Sequence, residues 1–128
     1  MAEMSNYLEN ALINATLRNT SYTSPTTVYV ALYTSDPTDA DTGTEVSGGS
    51  YARVAVTFGA PSNGVSTNSA NVEFAAATGS WGTITHIGLR DALTTGNLLY
   101  HTPLDTSKTI SSGDIFRITT GNLSVTLA

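Results

Sequence analysis

With 128 residues, 12% of them charged, and a formal net charge of −5, the chain fits one domain, and its five scattered Lys and Arg are too few to neutralise a phosphate backbone, so no nucleic-acid partner is expected. The absence of cysteine excludes disulfides and thiolate metal sites, which leaves stability to the core and to any oligomer the domain joins. No apolar run approaches membrane-spanning length, and MAEMSNYLENALINATL lacks the basic start and unbroken apolar centre of a secretory signal, so no membrane partner is expected and the product is expected in the cytoplasm when made.

In chain order, Ser5 or Asn6 can cap a helix over about 5–18 whose apolar residues Tyr7, Leu8, Ala11, Leu12 and Ala15 recur at helical spacing. The Ser- and Thr-rich stretch from Asn19 to Pro25 ends it. Such a helix either covers an open end of a sheet or docks on a neighbouring subunit.

The most strongly patterned stretch follows. In TVYVALYT, Val28, Val30 and Leu32 alternate with Tyr29, Ala31 and Tyr33, the period of a strand that buries one face and presents a partly aromatic face to something else. The loop SDPTDADTGTEVS from Ser35 to Ser47 then offers Asp36, Asp39, Asp41 and Glu45 as oxygen ligands for calcium, yet their spacing misses the EF-hand loop and a plain solvated loop is the alternative. Gly48-Gly49 can turn the chain sharply into a second strand with Val54, Val56 and Phe58 on one face.

Asn63-Gly64 marks a tight turn before a short strand from Ala70 to Phe74. Trp81 stands among small residues ahead of a strand over about Thr83–Arg90. Asp91–Gly96 reads as a turn, Asn97–Thr102 as the antiparallel return, and Pro103 as its end. After the turn at Ser111–Asp114, Phe116 and Ile118 share a face opposite Ile115, and Leu123, Val125 and Leu127 continue as a further strand or as one strand bulged at Gly121. About seven short strands with one helix predict a mainly β fold, an antiparallel β-sandwich or small barrel of jelly-roll type, as a single domain over residues 1–128.

Few residues suggest chemistry. His86 and His101 fall in predicted adjacent strands, but no third ligand stands at metal-site spacing, so no metal site is predicted. There is no G-x-S-x-G elbow, and Gly48-Gly49 lacks the Lys-Ser/Thr that would follow in a phosphate loop. No enzyme, cofactor or small-molecule substrate is therefore expected. Binding through surfaces remains, and Tyr22, Tyr29, Tyr33 and Trp81 are the predicted partner contacts, each with a large apolar body and a hydrogen-bonding tip; the alternative for any one of them is core filling. Arg53 and Arg90, flanked by apolar strand residues, are candidates to pair with the acidic loop or across a subunit boundary.

The segments TVYVALYTSDPT, GTEVSGGSYARVAVTF, WGTITHIGLRDA, GNLLYHTPL and GDIFRITTGNLSVTL resemble a family of small tailed-bacteriophage virion proteins labelled head decoration (cement) or tail fibre proteins. The resemblance spans nearly the whole chain and implies a structural role without catalysis. On this reading the protein is made in the host cytoplasm and joins the virion. The first expectation is a capsid decoration protein on the head, a homotrimer contacting the major capsid protein. The alternative is a small tail, baseplate or tail-fibre-associated protein involved in host contact.

Overall fold

The computed structural model describes residues 2–127. In chain order its elements are β1 (Glu3–Met4), α1 (Asn6–Leu17), β2 (Val28–Tyr33), β3 (Val54–Val56), β4 (Val65–Thr67), β5 (Val72–Glu73), β6 (Gly82–Arg90), β7 (Leu98–Ile110), β8 (Arg117–Ile118) and β9 (Ser124–Thr126). β2 lies inside a five-stranded antiparallel sheet of order β1-β7-β6-β2-β3, where Val30 stands opposite both Leu89 and Val54, and Leu32 opposite Ile87. Because side chains alternate along a strand, this register collects Val30, Leu32, Ile87 and Leu89 on one face and Tyr29, Ala31, Tyr33, His86, Gly88 and Arg90 on the other.

Two short ribbons, β4 with β9 and β5 with β8, supply the second layer. Val72, Phe74, Phe116 and Leu123 from this layer pack with Val30, Leu32, Ile84 and Leu89 in one hydrophobic cluster. Val30, Leu32 and Ile84 are fully buried, and each such side chain contributes about 1.5–3 kcal/mol by leaving water. The mainly β, antiparallel, layered architecture with one helix is the one expected. Its strands divide five, two and two, whereas a jelly roll divides its eight strands between two sheets.

One end of the core is aromatic. Tyr51 meets the edge of Trp81 with ring centroids 5.5 Å apart, and Phe74 meets Phe116 edge-on at 5.7 Å. Trp81 is buried here, and its Nε1 donates to the Gly49 carbonyl oxygen at 2.9 Å. The backbone of Gly49 is left-handed at φ +58°, and a Cβ added there would fall 2.8 Å from that indole nitrogen. Gly49 thus provides both the turn and the room for the indole.

Asn63-Gly64 forms the anticipated tight turn, closed by reciprocal backbone hydrogen bonds between Ser62 and Val65 at 3.0 Å. β7 departs from the sequence reading: it runs through Pro103 to Ile110 rather than stopping there. Pro103 stands opposite His86 beside an irregularity in the β6–β7 register, a position where a residue lacking an N–H is tolerated. The closing segment is two separate strands, and Asn68 holds them in place. Its buried amide donates to the carbonyl oxygens of Ala70 and Thr119 and accepts from the Leu123 N–H at 2.9 Å.

Ser5 caps α1, accepting from the Leu8 N–H at 3.2 Å, while its hydroxyl donates to the Leu98 carbonyl oxygen and its own N–H donates to Leu99. The cap therefore also ties the N-terminal segment to β7. α1 packs beside β7 and buries only Leu8, leaving Tyr7, Ile13 and Leu17 exposed. Among the described residues no helix is long and apolar enough to cross a membrane.

Candidate functional site

The polar face of the large sheet gathers Arg53, Arg90 and the acidic loop. The acidic loop after β2 folds back across it, held by two arginines. Arg90, 8% exposed at its side chain, donates from Nη1 to Asp41 Oδ1 at 2.8 Å and from Nη2 to Asp41 Oδ2 at 3.0 Å. The same guanidinium reaches the Tyr33 hydroxyl at 2.9 Å and the Gly96 carbonyl oxygen at 3.0 Å. Arg53 forms the second clamp, with Nε and Nη2 each 2.8 Å from the Glu45 carboxylate, and Nη1 donating to the Ala92 and Thr95 carbonyl oxygens. Planar two-bond pairing of this kind fixes orientation as well as distance. Together the clamps bind the acidic loop, the sheet and the 91–97 turn into one assembly.

The electrostatics follow from burial and pairing. Burial raises the pKa of Glu45, but hydrogen bonds from Arg53 and Tyr51 outweigh it and hold the carboxyl below its ordinary value. The Tyr51 hydroxyl, which donates to Glu45 at 2.7 Å and accepts from the Leu32 N–H at 3.0 Å, is pushed up by burial and by that carboxylate. Burial works against the charge on Arg90, yet its bonds to Asp41 and Tyr33 raise its pKa overall.

The remaining two acids of the loop face the histidines. His101, 5% exposed at its side chain, has Nε2 2.8 Å from Asp39 Oδ1 and 3.9 Å from Glu3 Oε2. Its Nδ1 lies 3.8 Å from Asp36 Oδ1, and His86 Nε2 lies 3.9 Å from the same oxygen. The backbone explains this convergence: Glu3 stands opposite His101 in the β1–β7 register, and the Asn6 N–H donates to the Asp39 carbonyl oxygen at 2.8 Å, drawing the loop tip to the start of α1. Asp36 accepts from the Thr38 N–H at 2.9 Å. Glu3, Asp39 and His101 are the described residues whose donor atoms lie close enough to share a metal ion, all within 4.8 Å of one another.

Of the four predicted partner contacts, two lie inside the protein. Tyr33 is 1% and Trp81 4% exposed, so neither presents a surface to a partner. The aromatic face of β2 is covered by the chain's own acidic loop: Tyr33 packs over Gly88, where an added Cβ would come within 2.8 Å of its ring. Tyr22 and Tyr29 are half-buried. Arg53 and Arg90 pair with the acidic loop, the first of the two roles anticipated for them, and two of the proposed calcium ligands, Asp41 and Glu45, are taken up by those pairs. Sequence reasoning missed Glu3 and Asn68, since neither belongs to a local pattern. Elsewhere, an open groove of about 580 Å³ runs between β7 and β8, lined by Leu104, Lys108, Ile115, Phe116 and Ile118 among others.

An antiparallel β domain with a Ser- and Thr-rich surface, its loops pinned by ion pairs, is the class of protein this structure defines. The model of the family described as Podophage GP4 fiber I protein gp80 matches residues 3–126, and the chain belongs to that family. No curated protein matches.

Proposed function

We propose that this chain is a non-catalytic structural subunit of a podophage tail fibre. The observation that carries the reading is the match of a fibre-protein family over residues 3–126. That description supports the tail-fibre alternative over the head-decoration role placed first on sequence alone, and with it tail components replace the major capsid protein as the partner. The clamped acidic loop and the doubly tied N-terminal segment suit a subunit that must keep its shape under load. Self-association, as a trimer in the first instance, is the assembly this reading calls for. The half-buried Tyr22 and Tyr29 and the exposed Tyr7, Ile13 and Leu17 of α1 are side chains available to it.

Gold-labelled antibody against this protein, applied to intact virions, tests the reading directly. Label confined to the tail fibres is the expected outcome. Label distributed over the head lattice would return the protein to the decoration role, and virions without label would remove it from the particle.

A further inference from the structure

We propose that Glu3, Asp39 and His101 form a binding site for a divalent first-row transition metal, zinc above all, that staples the N-terminal segment to the sheet. This inference is independent of the fibre reading. The three residues come from β1, the acidic loop and β7, and their donor atoms lie within 4.8 Å of one another. Zinc is held by imidazole nitrogen and carboxylate oxygen at about 2.0–2.2 Å, which places neighbouring ligand atoms roughly 3–4 Å apart. The His101 Nε2 to Glu3 Oε2 distance of 3.9 Å falls in that range, and the 2.8 Å contact with Asp39 Oδ1 needs only a small opening. One nitrogen with few oxygens favours zinc over calcium, which takes six to eight oxygen ligands.

A second observation lies on the far side of the same ring. A histidine that binds metal through one nitrogen characteristically turns the other toward a carboxylate, which sets its tautomer and raises its basicity. His101 has Asp36 Oδ1 3.8 Å from Nδ1 on the side away from Asp39 and Glu3, and Asp36 is itself oriented by the Thr38 N–H. At 3.8 Å this is an ionic neighbour rather than a hydrogen bond, and a small rotation of the exposed Asp36 side chain would close it, placing a carboxylate on each side of the ring. The imidazole is buried while Glu3 and Asp39 are exposed, so the group is reached from solvent on its carboxylate side.

Charge points the same way. Three carboxylates, Glu3, Asp36 and Asp39, surround this imidazole, while Arg53 and Arg90 are engaged by Glu45 and Asp41. A dication at Nε2 would offset the local excess of negative charge and cross-link three segments that are distant in sequence.

Untagged protein, stripped with chelator and dialysed, is titrated with zinc chloride near neutral pH by calorimetry, and its melting temperature is followed with and without zinc. Saturable binding of one zinc per chain is expected, with a rise in melting temperature reversed by chelator. Glu3→Gln and Asp39→Asn change exposed side chains and are expected to fold normally while weakening zinc binding at least about tenfold. Asp36→Asn, acting through His101, is expected to weaken it about tenfold. His86→Gln is expected to bind as the parent does. Cobalt, read by its visible absorption, is expected to compete for the same site, and calcium to give no heat. The proposal is overturned if the parent binds no zinc, if Glu3→Gln and Asp39→Asn bind it unchanged, or if His86→Gln is the variant that loses it, which would move the metal to the other side of the His101 ring.

Discussion

Arg90 and Asp41 meet through two parallel hydrogen bonds, of 2.8 and 3.0 Å, joining the last residue of β6 to the tip of the acidic loop. The guanidinium is buried and the carboxylate partly exposed, so the pair is asymmetric: removing the acid strands a charge that cannot reach water. Asp41→Ala is therefore expected to lower unfolding stability by about 2 kcal/mol. Arg90→Lys is expected not to preserve the parent's stability, because an ammonium cannot satisfy both oxygens and the Tyr33 hydroxyl with the same planar fork. Urea denaturation of both variants against the parent checks this, with an unchanged midpoint for Asp41→Ala counting against the clamp.

The second clamp sets an acid limit. Glu45 has a folded-state pKa below its ordinary value of 4.5, so its contribution to stability is fully present above that value and is lost as pH falls through the depressed folded value. Melting temperature measured over descending pH is expected to drop below about pH 4.5, and Glu45→Gln is expected to be less stable at neutral pH but to lose less on acidification. Parallel curves for parent and variant would show that other carboxylates govern acid unfolding.

Neighbouring glycines separate backbone strain from crowding. Gly48 and Gly49 are both left-handed, at φ +77° and +58°, but an added Cβ meets nothing within 4 Å at Gly48 and strikes the Trp81 indole at Gly49. Gly48→Ala is expected to cost about 1 kcal/mol from conformation alone, and Gly49→Ala about 2–3 kcal/mol with a shift in tryptophan fluorescence. Equal losses at the two sites, with unchanged emission, would mean that the indole moves aside freely.

Asn68 is a test of buried polar satisfaction. Asn68→Ala leaves the Leu123 N–H and the carbonyl oxygens of Ala70 and Thr119 without this partner. A loss of roughly 3 kcal/mol is expected, on the scale of about 1–3 kcal/mol for each buried group left unpaired. Hydrogen exchange should show the loss first in the β4–β9 ribbon, where the 119–123 segment is anchored. A neutral substitution would mean that water replaces the amide.

α1 separates fold from assembly. Leu8 is 4% exposed and Leu17 79%, so Leu8→Ala is expected to destabilise the isolated chain by about 2–3 kcal/mol and Leu17→Ser to leave it within about 0.5 kcal/mol. If the exposed side of α1 joins copies, Leu17→Ser should instead weaken self-association in sedimentation. A change in neither property would leave that side of the helix without a role in assembly.

The amino-acid sequence by itself determined the elements whose signals are local. The alternation of Val28, Val30 and Leu32 identified β2, the apolar spacing from Tyr7 to Ala15 identified α1, and Asn63-Gly64 identified a turn, because each rests on residues within a few positions of one another. It also marked Arg53 and Arg90 as charges in need of an opposite charge, in the acidic loop or across a subunit boundary, and the structure supplies the first. What only the tertiary structure decided is what covers each face. Tyr33 reads as outward by periodicity, yet the acidic loop folds over it, and no local pattern reports a loop's return path. Pro103 reads as a stop, yet the strand passes it where the register slips. Glu3, Asp39 and His101 come together because β1 pairs with β7 and the Asn6 N–H holds the loop tip, relationships between distant segments that are settled by packing rather than by sequence neighbours.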